Sequence, residues 1–459
     1  MIQSIAETVA AQRKFFQTGA TLPYAFRVKQ LKTLYRAIKE REDLILEALR
    51  QDLGKAPFES YATELSMVYG EIKHTLKHLR SWMREQRVPT PVYSLGGRSY
   101  LHREPLGVVL IMAPWNYPFQ LTVTPLVAAI AAGNCAVLKP SRYARQTSAV
   151  LAELIGASFS PEYIALFEGG REVNATLLDL KFDHIFFTGS VRVGKIVMAA
   201  AAKHLTPVTL ELGGKSPCLV DRTADPVKTA ERIIWGKAVN AGQTCVAPDY
   251  VLVHRAIKEE LIAALQRAIH KFFGENPLAS PDYGRIIHAE AFDRLTGWLA
   301  AEQERIIAGG GSDRSQLKIE LTLVDNPALD SPLMTEEIFG PILPILAYDD
   351  LMEAVSLIRS REKPLALYLF TKDPKLEAWV VHNLSYGGGC VNDTVMHVAN
   401  YHLPFGGVGA SGIGAYHGKR GFETFSHAKS ILKQTFAFDL PFRYAPYKNK
   451  LKFLRRLLG

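Results

Sequence analysis

Long apolar runs are missing from this chain. Stretches such as 108–112 and 126–132 stop far short of the roughly 18 residues that a membrane-spanning helix needs. Residues 1–16 carry Glu7 and scattered polar side chains in place of a basic stretch followed by an apolar one, which predicts no secretory signal and a cytoplasmic location. Cysteine is scarce as well. The four thiols, Cys135, Cys218, Cys245 and Cys390, form no CxxC pair and no cluster with histidine, which argues against a disulfide framework or structural zinc and predicts free thiols.

What is present is ordinary for a folded protein. The 459 residues, 48% hydrophobic and 22% charged, predict two or three domains with more than one core, and the 34 glycines and 25 prolines are too few for low-complexity sequence. The net charge of +9 raises nucleic acid or an anionic membrane as a partner. Six of the basic residues (Arg443, Lys448, Lys450, Lys452, Arg455 and Arg456) lie in 440–459 with no acid among them, which leaves 48 basic against 45 acidic residues elsewhere. The excess is mostly a tail, and no nucleic-acid partner is expected.

Residues 24–51 repeat apolar positions at helical spacing (Leu31, Leu34, Tyr35, Ile38, Ile45, Ala48, Leu49), and a second helical block spans 61–85. Prolines and paired glycines break the pattern over 88–97 and predict an arm or hairpin. From Leu106 onward, short β-branched runs (108–112, 136–138, 164–167, 184–187, 208–210) alternate with helix-like stretches (119–132, 143–157, 172–178, 191–204). Continuous apolar strands separated by helices are the pattern of a doubly wound parallel sheet covered on both faces. A second α/β series starts near Cys218, with helices over 227–239 and 258–272 and strands over 344–347 and 365–370.

Three patterns imitate functional sites. Gly407, Gly409 and Gly412 spell GxGxxG, but a polar loop precedes them where the dinucleotide fingerprint needs a strand, so a tight packing loop is expected. Residues 189–195 (GSVRVGK) resemble a P-loop, yet Ile196 stands where a hydroxyl would hold magnesium, which argues against ATP hydrolysis. The strand, glycine turn and helix there still suit a dinucleotide pyrophosphate; an ordinary strand-to-helix turn is the alternative. His74 and His78, at i and i+4, lack an intervening glutamate and an acidic third ligand, so they read as a solvated helix face and no metal is expected.

Four segments combine reactive groups with strand-end or loop context: PWNYPF (114–119), ELGGKSP (211–217), GQTC (242–245) and EEIFGP (336–341). They offer one thiol nucleophile, one carboxylate able to act as base, one amide donor and a candidate dinucleotide site. A thiolate that attacks a carbonyl creates an oxyanion, which fixed donors stabilise; the thioester left after hydride departure then needs an activated water. Taken singly, each residue also suits a structural role: Cys245 as small core filler, Glu211 in an ion pair, Asn116 in a turn.

Over nearly its whole length the chain resembles the aldehyde dehydrogenases, and within them the class 3 branch. The resemblance rests on PWNYPF, LKPS (138–141), FTGSVRVGK (187–195), LELGGKSP (210–217), WGKAVNAGQTCVAPDY (235–250), EEIFGPILP (336–344) and LPFGGVGASG (403–412), in order and at family-like spacing. It implies oxidation of aldehydes to carboxylic acids with NAD or NADP, through a cysteine thiohemiacetal and thioester. Cys245 would be the nucleophile, Glu211 the general base, and Asn116 with the Cys245 backbone N–H the oxyanion hole. Lys139 would hold the adenosine ribose, Gly189 and Ser190 would border the pyrophosphate, and Glu337 with Phe339 would position the nicotinamide ribose and ring. Ser141, Gly194 and Leu212 complete the expected coenzyme contacts.

The resemblance also implies an aldehyde dehydrogenase-like α/β fold. Residues 1–85 and 104–212 would form a dinucleotide-binding domain, 213–411 a catalytic domain, and 86–103 with 412–445 a β oligomerisation arm that makes a homodimer, followed by a basic tail at 446–459. After Lys139-Pro140-Ser141 many members carry a glutamate, whereas this chain has Arg142, a guanidinium able to pair with a 2′-phosphate; the expectation leans to NADP, with Arg142 in solvent as the alternative. Tyr117 and Trp235 match pocket-wall positions, which implies an apolar, aromatic or medium-chain aldehyde. Two other functions stand beside this one: a coenzyme A-acylating aldehyde dehydrogenase, and a catalytically silent protein that binds lipid or nucleic acid. In the tail, Leu451, Leu454 and Leu458 share a helix face flanked by Phe453 and Leu457, which suits weak peripheral membrane contact or docking on the protein's own dimer. Related proteins sometimes carry a membrane anchor past this point, and this chain is expected to end too early for one.

Overall fold

A computed structural model describes residues 2–448 and 450–458; within the tail, Asn449 and Gly459 lie outside the described residues, as do the side chains of Phe453, Leu457 and Leu458. Two parallel sheets organise the chain. The first has six strands in the order Gly412–Ile413, Val208–Glu211, His184–Thr188, Val108–Met112, Cys135–Lys139 and Ile164–Leu166, all parallel except the first. Every residue of Val108–Met112, Cys135–Lys139 and His184–Thr188 is buried, as helix-covered parallel strands require. The helix Gln120–Ala132 is buried all round and fills the space beneath the sheet. Strand order reverses between Val108–Met112 and His184–Thr188, the switch point at which a doubly wound sheet opens a crevice for ligands.

The second sheet has seven strands in the order Ile306–Ala308, Thr322–Asp325, Ile342–Tyr348, Tyr250–His254, Pro217–Val220, Ala366–Phe370 and Gly388–Val391, parallel except at the Ile306–Ala308 edge. A third, antiparallel sheet joins Gln86–Val88, Arg98–Pro105 and Ser426–Lys433, so the broken segment at 88–97 is a hairpin connection. Among the described residues no helix is long and apolar enough to cross a membrane.

Two expectations need correction. Residues 412–425, assigned to the arm, belong instead with the first sheet: Gly412 pairs with Glu211, and Phe422 and Phe425 are buried, Phe425 stacking on Phe186 at 5.7 Å. Aromatic side chains of that size stay with the core that covers them, and the arm strand starts at Ser426. His74 and His78 do not sit on a solvated face; they are half-buried, their rings 4.3 Å apart, with His74 against Tyr401 and His402. Two of the GxGxxG glycines pack against backbone, with a Cβ at Gly407 or Gly412 meeting the Ser411 or Leu210 carbonyl, and Leu212 N–H donates to Ser411 O at 3.1 Å. That loop braces the end of the Glu211 strand.

Candidate active site

The sheet register gathers the predicted residues at one edge. Met112 lies opposite Lys139 and Phe187, and Thr188 opposite Glu211, so the PWNYPF turn, the LKPS turn, Gly189–Ser190 and Glu211 all leave the sheet together. From the second sheet comes the Cys245 loop, which follows a 3-10 turn at Val239–Gly242. Asn240 (φ 53°) and Ala241 (φ 51°) take left-handed backbone there, a strain that persists only when neighbours over-determine it. They do. Asn240 N–H donates to Glu59 Oε1 (2.8 Å), Asn240 Nδ2 donates to Gln243 O (3.0 Å), and Gln243 Nε2 donates to Asn240 O (3.0 Å) and Arg285 O (2.9 Å). Gly242 (φ 74°) is forced twice, since a Cβ there would strike the Gly340 carbonyl; the cysteine loop thus touches the loop that carries Glu337 and Phe339.

Asn116 Nδ2 donates to Gln243 O at 3.1 Å and ties the PWNYPF turn to the cysteine loop, while its second N–H has no partner among the described residues. Beside it the Tyr117 hydroxyl and Thr244 Oγ1 share a hydrogen bond of 2.7 Å. The structure therefore brings Asn116, Tyr117 and the Cys245 loop together.

Burial dominates the electrostatics. Glu211 is 2% exposed, neither carboxyl oxygen has a hydrogen-bond partner, and desolvation pushes its pKa well above the usual carboxylate value. The Cys245 thiol is pushed up to about 12 by burial and by the charges of Glu337 and Glu211, which places all three groups within electrostatic reach of one another. Glu337 is raised to about 8 by burial and by Asp249, and its Oε1 is buried without a donor. Its carboxyl rests in the space a Cβ on Gly213 would need. Lys237 is fully buried, its amine unpartnered and lowered to about 8 by burial. Tyr416, buried, also senses Glu211 and Cys245.

On the coenzyme side, Lys139 is 4% exposed and burial lowers its amine to about 8; it donates to Pro140 O at 2.6 Å. Ser190 precedes the helix Val191–Ala202 without a side-chain cap, so the first N–H groups of that helix face outward to an anion. Gly194 has a packing role, because a Cβ would lie 2.7 Å from Leu212 Cδ2. Ser141 Oγ accepts from Tyr143 N–H at 3.3 Å; Arg142 is exposed and lies over the Tyr143 ring at 4.9 Å and against Gly170. Phe339 (φ 50°) meets Trp115 edge-on at 5.3 Å. Donors and unpaired acceptors at this edge fit ribose hydroxyls and a pyrophosphate. Trp235, 39% exposed, lines a cavity of about 270 Å³ with Phe58, Ala62, Val239, Phe272 and Phe273, and Val239 in turn packs on Tyr117.

Sequence reading missed Lys55 and Glu64, both 0% exposed and paired at 2.7 Å, and the buried Lys237 and Tyr416. No local pattern marks them; only the fold shows that they are sealed from water.

A thiol, a desolvated carboxyl and an amide donor gather beside a dinucleotide-type crevice, an arrangement that suits an oxidoreductase. The "Aldehyde dehydrogenase family" matches residues 3–431. The chain is 50% identical over 443 residues to a Staphylococcus aureus protein named 4,4'-diaponeurosporen-aldehyde dehydrogenase, covering 96% of each, and 48% identical over 428 residues to human aldehyde dehydrogenase family 3 member B1, covering 93% of this chain and 91% of that one. A solved structure described as the substrate-bound state of Staphylococcus aureus AldH matches with a TM-score of 0.98 and 49% identity, covering 99% of both chains. The chain belongs to the aldehyde dehydrogenase family, in its class 3 branch. It is an NAD(P)-dependent enzyme that oxidises aldehydes to acids, which retires the catalytically silent alternative.

The charge on Glu337 yields a direct test of the site. At pH 9 that carboxyl is ionised and holds the thiol protonated; at pH 6 it is neutral. Glu337→Gln is expected to speed iodoacetamide alkylation of Cys245 at pH 9 by about three- to tenfold, since one pKa unit is tenfold in thiolate, and to leave the rate at pH 6 unchanged. Equal rates at pH 9 would remove Glu337 from the surroundings of the sulfur.

Proposed function

We propose that Cys245 is the nucleophile, Glu211 the base that admits water, and Asn116 with the Cys245 backbone N–H the oxyanion hole. The observation that carries this reading is Glu211: a carboxyl sealed from water, without a partner for either oxygen, next to the one thiol on a strained and over-determined loop. Sulfur bonds to the aldehyde carbon as its proton departs, and the free Asn116 N–H takes the oxygen that becomes negative. Nicotinamide, when bound, would supply the hydride acceptor here, and loss of hydride from the tetrahedral carbon would leave a thioester on Cys245. Glu211, ionised, then takes a proton from water that attacks this thioester; carboxylic acid leaves and the thiol regains a proton. Glu337 and Phe339 hold the nicotinamide end, Lys139 with Ser141 the adenosine ribose, and Gly189, Ser190 and Leu212 the pyrophosphate side. Gly194 keeps its place in this set through Leu212.

The substrate reading is an apolar aldehyde, aromatic or medium-chain, on Tyr117 and Trp235. Support comes from the apolar cavity beside Trp235 and from the 4,4'-diaponeurosporen-aldehyde in the name of the Staphylococcus aureus relative. Glu211 favours release as free acid; the coenzyme A-acylating reading survives only if added coenzyme A captures the product. In an aldehyde panel followed at the NAD(P)H absorbance, Cys245→Ala is expected to lose activity by about 10³-fold or more. Glu211→Gln should keep a single-turnover burst and lose turnover, and the alkaline rise of turnover that reports its high pKa should vanish. Cys245→Ala working at the parental rate would end the proposal.

Coenzyme choice is read from Arg142, exposed at the end of the strand Cys135–Lys139, where a guanidinium meets a 2′-phosphate without loss of a buried bond. NADP is expected to work at least as well as NAD, and Arg142→Glu should shift kcat/KM toward NAD by about tenfold or more. A strong parental preference for NAD that Arg142→Glu leaves untouched would refute this.

Residues 1–85, 104–212 and 412–425 form the coenzyme domain in this reading, and 213–411 the catalytic domain. The strand Ser426–Lys433 pairs on one side only, and its other edge supports a homodimer through a second copy of the arm. The tail helix Lys450–Leu458 adjoins the chain's own arm: Lys450 Nζ donates to Pro441 O (3.1 Å) and Tyr444 O (2.8 Å), and a groove there is lined by Tyr93, Leu432, Tyr447, Leu451 and Leu454. Docking within the protein is the favoured reading over membrane contact. The full chain and a truncation before Lys448 should then partition equally on anionic vesicles, and selective pelleting of the full chain would reverse the choice.

A further inference from the structure

A buried ion pair contacts the turn that carries Asn116. Lys55 and Glu64 are both 0% exposed, and Lys55 Nζ donates to Glu64 Oε1 at 2.7 Å. The same ammonium donates to Asn116 O at 3.1 Å and stands 3.9 Å over the ring of Tyr117. Asn240 Nδ2 also donates to Asn116 O, at 2.8 Å, so two donors share the two lone pairs of that carbonyl. The other oxygen of Glu64 accepts from Phe119 N–H (2.9 Å) and Gln120 N–H (3.2 Å), the first free N–H groups of the helix Gln120–Ala132. One ion pair thus grips both ends of the Asn116–Phe119 turn.

Glu64 reaches this position from a π-helical segment, Tyr61–Leu65, set between α-helical turns. Such a wide turn is rare, is less favourable than α-helix, and recurs at functional sites. Burying two opposite charges is costly as well, and an apolar pair of similar volume often serves stability equally well. Neither feature has a stabilising purpose that simpler residues would not meet. Both are accounted for if the charges fix where a neighbouring dipole points.

We infer that Lys55 and Glu64 are positioning residues for the oxyanion donor: they hold the Asn116 main chain so that its free side-chain N–H faces the oxygen of the acyl group on Cys245. The inference rests on the reading of Asn116 as that donor. Without the pair, Asn116 keeps its bond to Gln243 O but the turn from Asn116 to Phe119 loses three of its polar anchors.

The test uses the whole enzyme without coenzyme, acylated by p-nitrophenyl acetate at pH 9. Sulfur displaces p-nitrophenolate, which carries off the electron pair of the broken C–O bond, and the burst of that anion reports the acylation step without coenzyme or hydride transfer. Asn116→Ala and Lys55→Met are each expected to slow the burst by about tenfold or more. Lys55→Met added to Asn116→Ala should slow it by less than about twofold further, because the two act through one N–H. With aldehyde and coenzyme, KM for the aldehyde should stay within about twofold while kcat falls. The variant Lys55→Met/Glu64→Leu removes both charges and guards against misfolding: its Tm should return to the parental value and its burst should remain slow. An unchanged burst in Asn116→Ala overturns the reading of Asn116 and the inference with it. If Asn116→Ala is slow while Lys55→Met is as fast as the parent, or slows both backgrounds equally, the inference alone fails. A fast burst in the charge-free pair likewise overturns it.

Discussion

Glu211 lies at the end of a parallel strand with no donor for either oxygen, and much of the surrounding architecture follows from keeping it so. The GxGxxG-like loop is braced to this strand end through Ser411, which accepts from Leu212 N–H, and Leu212 and Tyr416 are buried as well. Desolvation favours the protonated form of this acid, and it favours the thiol form of the neighbouring sulfur for the same reason. A free thiolate beside two carboxylates would carry uncompensated charge in a low dielectric.

The same exclusion of water organises the two sheets relative to each other. Carboxylate, lysine amine and amide donor come from strand ends of the first sheet, while the sulfur and Glu337 come from loops of the second. Their meeting depends on backbone contacts between the two halves. The bonds of Asn116 Nδ2 to Gln243 O, of Asn240 Nδ2 to Asn116 O and of Asn240 N–H to Glu59 are the polar part of that seam, and the Tyr117–Leu121–Val239 cluster is its apolar part.

Much of this was legible in the chain itself, for a physical reason. Strands such as Val108–Met112 and His184–Thr188 are buried on both faces, so their sequence is a continuous apolar run with little else it could be. The segments that bear Cys245, Glu211 and Asn116 stood out because small residues and turn residues flank reactive ones. Legibility failed where a residue's role depends on a partner far along the chain. Lys55 and Glu64 look like any charged pair on amphipathic helices, and only the fold reveals that both are sealed from water. The strand Gly388–Val391 hides behind two glycines, needed because Gly389 passes close to the Leu367 carbonyl. Residues 412–425 were misplaced because their aromatics give no hint of which core receives them.

The contact of Gly242 with the Gly340 carbonyl leaves no room for even a methyl group between the loop of Cys245 and the loop that carries Glu337 and Phe339. Mechanically the two are one part. A substitution that moves Glu337 or Phe339 also shifts Cys245, and a sequence change that relocates the sulfur drags those two residues with it. Variation in such an enzyme is therefore channelled elsewhere, to the outer walls near Trp235 and the solvent side of Arg142, where one property can drift while the other stands still.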